Sequence, residues 1–243
     1  MNEALKTVVV TGASGDIGFA VVNQLISQGY HVAACVHKNQ GRFSSILEQK
    51  KPIALFKLNL GDDQDIIECA RQICADTTEM AGLVNCAGIA EGGPFGMTKI
   101  DDMRVLFQKN FFGVLLFTQI IVRKMMRRKR GSIVNIASTA GVFSDPGTLA
   151  YGSSKAALIH ASRIMAAELG PLGIRVNAVA PAVVNSKMAD MMTPSSRKTI
   201  DERGVLPGST EPEDVADMVT FLLSDRAASI SAQTIRIDRG MPF

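Results

Sequence analysis

Val8-Val9-Val10-Thr11-Gly12-Ala13-Ser14-Gly15-Asp16-Ile17-Gly18 decides how the rest of the chain is read. Three β-branched residues favour a strand, the glycines after Thr11 force a turn, and the apolar spacing from Ile17 onward opens a helix. Gly12 permits a tight turn, Gly15 lets the backbone approach a pyrophosphate, and Gly18 lets the helix pack closely on the strand. The helix N-terminus then stabilises negative charge. Glycine spacing alone occurs in unspecialised loops. Its place in the first strand, turn and helix unit points to a dinucleotide.

Outward from this turn, strand-like runs recur at Thr7–Thr11, His31–Val36, Ile53–Leu58, Gly82–Cys86, Ser132–Ser138, Arg175–Ala180 and Thr234–Ile237. Helix-length amphipathic segments separate them: Asp16–Gln28, Asp62–Ala75, Asp101–Arg128, Tyr151–Leu169 and Pro212–Leu223. The alternation predicts an α/β fold, with βαβ units around a parallel sheet. No repeat or linker divides the chain, so one doubly wound, Rossmann-type domain spans 1–243, with seven parallel strands and helices on both faces. The rhythm breaks from Val183 to Gly208, where methionines, prolines and mixed charge follow a strand. A long irregular insertion of this kind reads as a substrate loop or lid, with a short core helix as the alternative for its methionines.

The 243 residues, 47% hydrophobic and 20% charged, can bury a core without metals or disulfides. A net charge of +3 is too small to argue for nucleic acid. The chain start carries no basic, apolar and small-residue leader pattern, which points to a cytoplasmic protein. The apolar stretch from Phe111 to Val122 falls short of the roughly 20 residues that cross a bilayer and reads as a buried helix. Cys35, Cys69, Cys74 and Cys86 form no metal-ligand pattern with His31, His37 or His160, so no metal site and no serine–histidine triad is expected.

Tyr151-Gly152-Ser153-Ser154-Lys155 opens a helix, which places the phenol and the ammonium one turn apart on one face. A free tyrosine titrates near ~10, and a neighbouring lysine ammonium and a cationic nicotinamide both favour the phenolate, moving Tyr151 toward working pH. It could then exchange a proton with a substrate oxygen. Ser138 closes a strand at the carboxyl edge of the sheet, where its hydroxyl could hold that oxygen.

These motifs together resemble the short-chain dehydrogenase/reductase family over nearly the whole chain, most closely its bacterial 3-oxoacyl-[acyl-carrier-protein] reductases. Thr11–Gly18 resembles the family's cofactor turn, so Gly12, Ser14, Gly15, Asp16 and Ile17 are expected to meet the dinucleotide. Asn85-Cys86-Ala87-Gly88 is similar to the family's N-N-A-G motif, implying cofactor contacts from Asn85, Ala87 and Gly88. Asn110, Ser138, Tyr151 and Lys155 match its catalytic tetrad. The resemblance makes the tyrosine the acid/base, the lysine a ribose ligand, the serine a carbonyl holder and the asparagine the support of a proton-relaying water.

Pro181 and the backbone near Val184 match the segment that covers the nicotinamide, with Ala182 in place of the usual glycine. Other departures are Asp16 and Arg239 where glycine is common, and Asn59 where an aspartate usually meets adenine beside Leu60. At the end of the second strand, Val36 stands where an NAD-selective site places a carboxylate, followed by His37 and Lys38. The resemblance therefore implies NADP rather than NAD, with Lys38 and Arg42 as candidate phosphate donors. The basic run Arg123, Lys124, Arg127, Arg128, Lys129, Arg130 suggests docking of an acidic acyl carrier protein, a solvated helix end being the alternative. The family likeness also implies an acyl-thioester or other small substrate, a place in fatty acid biosynthesis and a homo-oligomer, tetramer or dimer. An alcohol, polyol or sugar dehydrogenase is the alternative activity.

Overall fold

The structure is a computed structural model that describes residues 6–38 and 40–242. Seven strands, β1 (Thr7–Thr11), β2 (His31–Val36), β3 (Ile53–Lys57), β4 (Met80–Asn85), β5 (Gly131–Ile136), β6 (Ile174–Pro181) and β7 (Thr234–Ile237), make one sheet. They run parallel in the order β3-β2-β1-β4-β5-β6-β7. Strands covered on both faces must be apolar throughout rather than alternating, which is why all five residues of β1 are buried.

The helices are α1 (Asp16–Ser27), α2 (Ser44–Glu48), α3 (Asp63–Asp76), α4 (Ile100–Phe107), α5 (Gly113–Arg128), α6 (Leu149–Leu169), α7 (Pro194–Asp201) and α8 (Pro212–Leu223). Val21, Val22 and Leu25 of α1 pack with Val215, Val219 and Leu222 of α8 on one face of the sheet. On the other face Ile66 and Ile73 of α3, Phe117 and Ile121 of α5 and Leu158 of α6 form a second core. The site therefore sits above a sheet braced from both sides.

The expected helix 101–128 is two α-helices joined through a π-turn at Gln108–Phe112. As one stretch, Ile100–Arg128 is apolar and long enough to cross a membrane by length and composition, more than the Phe111–Val122 run suggested. Its buried face packs on the sheet through Val114, Phe117, Ile121 and Met125. The segment from 183 to 208 is not wholly irregular, because it holds a 3-10 turn at Ala189–Met191 and then α7. Met191 is 73% exposed, so the core-helix alternative for the methionines fails.

Candidate active site

β1 and β4 are the neighbours at which the strand order reverses, and ligands of open α/β sheets bind at the carboxyl ends of such a pair. Thr11 ends β1, and its Oγ1 accepts the N–H groups of Cys86 and Ala87, both at 3.1 Å. Gly12 has φ +63°, and a Cβ there would stand 2.7 Å from the Ala87 backbone, so only glycine fits. Gly15 precedes α1 with no side-chain cap, leaving the first helical N–H groups without intrahelical partners. A glycine cradle beneath an uncapped helix start fits a pyrophosphate, which would take those donors and the positive end of the dipole. Ser14, Asp16 and Ile17 surround that start.

β5 ends at Ile136, two residues earlier than Ser138, which instead caps a 3-10 turn. The Ser138 Oγ accepts the Ala140 N–H at 3.2 Å, and the hydroxyl hydrogen-bonds to Tyr151 in a way that favours the phenolate. Lys155, 4% exposed, donates from Nζ to the Ile136 carbonyl at 2.7 Å and lies 5.8 Å from the centroid of the Tyr151 ring. Asn110 is fully buried on the π-turn, a distortion that often marks functional positions in helices. Its Oδ1 accepts the Ile89 N–H at 2.9 Å, while Nδ2 donates to the Ile89 carbonyl at 2.8 Å and to Ser154 Oγ at 3.2 Å. Ser154 in turn donates to the Tyr151 carbonyl at 2.8 Å. A Cβ on Gly88 would lie 3.3 Å from both Asn110 Oδ1 and Lys155 Nζ, so the two groups converge there.

The electrostatics correct one expectation. Burial raises the Tyr151 phenol above its ordinary value, only partly opposed by the Ser138 hydrogen bond. The Lys155 Nζ donates to the Ile136 carbonyl, and burial lowers its own pKa to about 8. Cys86, beside both groups, is pushed up to about 12 by burial and stays a neutral thiol.

At the outer rim Val36 is buried whereas His37 and Lys38 are exposed. Arg42 is less available than expected, since Nη1 contacts Asp16 Oδ1 at 2.7 Å and the Ser14 carbonyl at 3.2 Å, with the guanidinium 4.3 Å over the Phe19 ring. Asn59 Oδ1 accepts the Gly61 N–H at 3.0 Å, leaving its NH2 for an adenine, and Leu60 is buried beside it. Asn85 turns away from the cleft: Nδ2 donates to Thr118 Oγ1 at 2.9 Å and Asn135 Oδ1 at 2.8 Å, tying β4 to α5 and β5. The Asn85 Nδ2 thus holds the sheet together while its Oδ1 is buried with no hydrogen-bond partner among the described residues, and the Ala87 amide is likewise committed to Thr11. Pro181 pairs with Ile237 as the last residue of β6, the Ala182 N–H continues to the Ile237 carbonyl at 3.0 Å, and buried Val184 bridges to Thr210.

Three long-range contacts that hold the 183–208 segment are made by the fold alone. Arg203 Nη1 contacts Asp145 Oδ1 at 2.5 Å, joining the segment to the loop between Ser138 and Tyr151. Arg239 has φ +54°, and its guanidinium donates to the carbonyls of Asp201 at 2.6 Å, Leu206 at 3.1 Å and Gly208. A left-handed conformation costs a non-glycine residue roughly 1–2 kcal/mol, which charge-assisted hydrogen bonds of about 1.5–3 kcal/mol each offset. The Lys187 N–H donates to Asp16 Oδ2 at 2.9 Å. Arginine at 239 and aspartate at 16 were visible as departures, but their partners lie too far along the chain for spacing to suggest. Elsewhere, the basic run is partly engaged within the chain, as Arg130 grips Asp225 at 2.7 Å and Arg128 lies 3.6 Å from Glu79.

Comparison with known proteins agrees with this geometry. The family model described as enoyl-(acyl carrier protein) reductase matches residues 12–242. The 3-oxoacyl-[acyl-carrier-protein] reductase FabG of Thermotoga maritima is 31% identical over 97% of each chain. Nodulation protein G of Rhizobium meliloti is also 31% identical, over 97% of this chain and 96% of its own. Among solved structures, ElxO with NADP bound superposes with a TM-score of 0.89 at 26% identity, covering 98% of both chains. The chain belongs to the short-chain dehydrogenase/reductase family. It is accordingly a nicotinamide-dependent oxidoreductase similar to the 3-oxoacyl reductases.

Proposed function

We propose that this protein reduces the 3-oxo group of acyl thioesters with NADPH, in the manner of a 3-oxoacyl-[acyl-carrier-protein] reductase. The observation that carries the reading is the convergence of Ser138, Tyr151, Lys155 and Asn110 at the carboxyl edge of the sheet, in a chain 31% identical to such a reductase. The bound nicotinamide would supply the hydride. Tyr151 gives a proton to the carbonyl oxygen, and its raised pKa suits a donor that must hold that proton at neutral pH. Ser138 orients the oxygen, while buried Lys155 holds the nicotinamide ribose and stabilises the phenolate left behind. The Asn110 clamp on Ile89 and Ser154 fixes the π-turn from which a water relay to Lys155 would start.

NADP is favoured because no carboxylate follows β2 and because exposed Lys38 lies there, with Arg42 beside it retaining part of its guanidinium. ElxO, solved with NADP, lends support by likeness. Exposed Met188, Met191, Val205 and Leu206 on the 183–208 segment suit an acyl chain. Exposed Lys129 at the end of α5 remains a candidate contact for an acidic carrier protein. A homo-oligomer, tetramer or dimer, is supported by the exposed apolar side chains of Ile100, Val105, Phe112 and Ile164 on α4, the π-turn and α6. The four free thiols suit the cytoplasm.

The test is NADPH oxidation against 3-oxoacyl thioesters, free and carrier-linked, beside ketoses and simple diketones. The expected result is a kcat/KM at least tenfold higher for the thioesters. A preference for ketoses or diketones would replace this reading with a small-alcohol or sugar dehydrogenase.

A further inference from the structure

Residues 183–208 rise from the end of β6, cross the carboxyl edge of the sheet and return to α8, and charged side chains at the start of α1, in the loop before α6 and after β7 fasten the span. Near its start, the Asp16 carboxylate reaches 171 residues along the chain to accept the Lys187 N–H at 2.9 Å through Oδ2. Its Oδ1 is held by Arg42 at 2.7 Å, and Arg42 is itself pinned to the Ser14 carbonyl and stacked on Phe19. One carboxylate in the first turn of α1 thus joins the cofactor turn, the loop after β2 and the lid. At the far end, Arg239 donates to the Asp201, Leu206 and Gly208 carbonyls, and its own carbonyl accepts the N–H groups of Val205 and Leu206, each at 2.9 Å. The Arg239 guanidinium also lies 3.5 Å from the Asp201 carboxylate.

We infer that Asp16 and Arg239 are positioning residues that hold the 183–208 lid over the substrate cleft before any ligand arrives. This 26-residue span has one short helix, one 3-10 turn and internal ion pairs around Arg197, but among the described residues only Val184 and Ala189 of its apolar side chains are buried. Unfastened it would sample many conformations, and ordering it on binding would weaken substrate affinity. Two latches made of charge-assisted bonds meet that entropy in advance. The Asp16 latch also makes lid position sensitive to the turn beneath the pyrophosphate, so a dinucleotide drawn onto α1 and a substrate admitted by the lid would meet on one side chain. Among the described residues neither side chain hydrogen-bonds to Ser138 or Tyr151, so their influence on the reaction passes through the lid. The latch geometry stands apart from the proposed function, whereas its effect on substrate affinity rests on that reading.

The test uses Asp16→Gly and Arg239→Gly in the full chain; the second substitution suits the left-handed backbone and so removes the guanidinium without adding strain. In the cofactor-free protein, hydrogen exchange at the Lys187 amide should quicken about tenfold or more in Asp16→Gly, and tryptic cleavage after Arg197, Lys198 and Arg203 should quicken similarly in Arg239→Gly. Exchange in β1 and β4 should stay at wild-type rates in both. Asp16→Asn should recover most of the Lys187 protection, because an amide oxygen still accepts that N–H. With a carbonyl substrate, KM should rise about tenfold in Arg239→Gly while kcat falls less than threefold. Unchanged lid exchange and cleavage would overturn the inference, as would equal acceleration throughout the sheet, which would mark simple destabilisation. Quickened lid exchange in a protein inert toward every carbonyl tested would sustain the latches and reject the proposed activity instead.

Discussion

The floor of the cleft and its rim are built by different means. On the floor, Asn110 and Ser154 are fully buried and Lys155 is only 4% exposed, and these three side chains are held by backbone carbonyls and amides and by one another. On the rim, Arg42, Asp16, Asp145 and Arg203 keep between 17% and 33% of their side chains in solvent and act as charge pairs across long stretches of chain. A buried network is rigid because each unsatisfied group would cost the full desolvation of a polar atom. A half-exposed ion pair contributes about 0–1 kcal/mol and can be exchanged without unfolding the core. Chemistry that needs fixed atoms occupies the floor, and selection among cofactors and substrates occupies the rim.

The largest expected effect falls on the floor. Tyr151→Phe should lower turnover by roughly 10²–10⁴ while leaving dinucleotide binding intact, as fluorescence titration beside steady-state rates would show. Near-normal turnover in a folded phenylalanine variant would break the comparison, because the floor would then hold no proton donor.

Burial of Lys155 yields a second prediction, on stability. Its folded pKa of about 8 lies below the ordinary value of 10.5, so between those pH values the unfolded chain binds a proton that the folded chain has released. More protons bound in the unfolded state means that stability rises with pH through that window and is lower at and below pH 8. The displacement corresponds to a few kcal/mol at about 1.4 per pH unit. The buried thiol of Cys86, pushed up to about 12 from 9.0, and the raised thiols of Cys35 and Cys74 pull the other way above about pH 9. Urea denaturation of the cofactor-free protein from pH 7.5 to 10 should therefore show a slope of stability with pH that is more positive in wild type than in Lys155→Met. The raised phenol of Tyr151 acts in the opposite sense only above pH 10, where the unfolded tyrosine ionises first. An equal slope in wild type and variant would mean that the ammonium is not buried as the Ile136 contact implies.

The smallest effect belongs to the rim. Val36→Asp should shift the ratio of kcat/KM for NADPH over NADH by about tenfold toward NADH, since a carboxylate would repel a 2′-phosphate and bind a 2′-hydroxyl. Lys38→Ala should weaken NADPH alone by a few fold, in keeping with an exposed and screened charge. A loss as large as that of Tyr151→Phe in either variant would mean that the rim is built like the floor.

How much of this was legible in the sequence follows the same division. The seven strands and the class of fold were readable because buried parallel strands are continuous β-branched runs, and β1, β2 and β7 lie at the residues that this pattern marks. Tyr151 and Lys155 were readable because one helical turn separates them, and Gly12 because the tight turn between a strand and the helix that follows calls for glycine. Local spacing carried that information. The π-turn at Asn110 was not legible, since its bonds to Ile89 and Ser154 join residues on three different elements. Nor was the direction of the Tyr151 shift, which depends on how deeply the fold buries the phenol against its hydrogen bond to Ser138. Asn85 was read toward a cofactor because its motif sits beside the cleft, yet only the packing of β4 against α5 and β5 turns its amide inward. Asp16 and Arg239 stood out as charged residues at glycine positions, but a sequence does not say that a carboxylate at 16 meets an amide at 187. Sequence by itself determined the strands, the turn and the spacing of the reactive groups, because these depend on neighbours within a few residues. Tertiary structure alone decided which polar atoms remain free and what holds the lid, because hydrogen bonds and desolvation are settled by whatever the fold brings alongside.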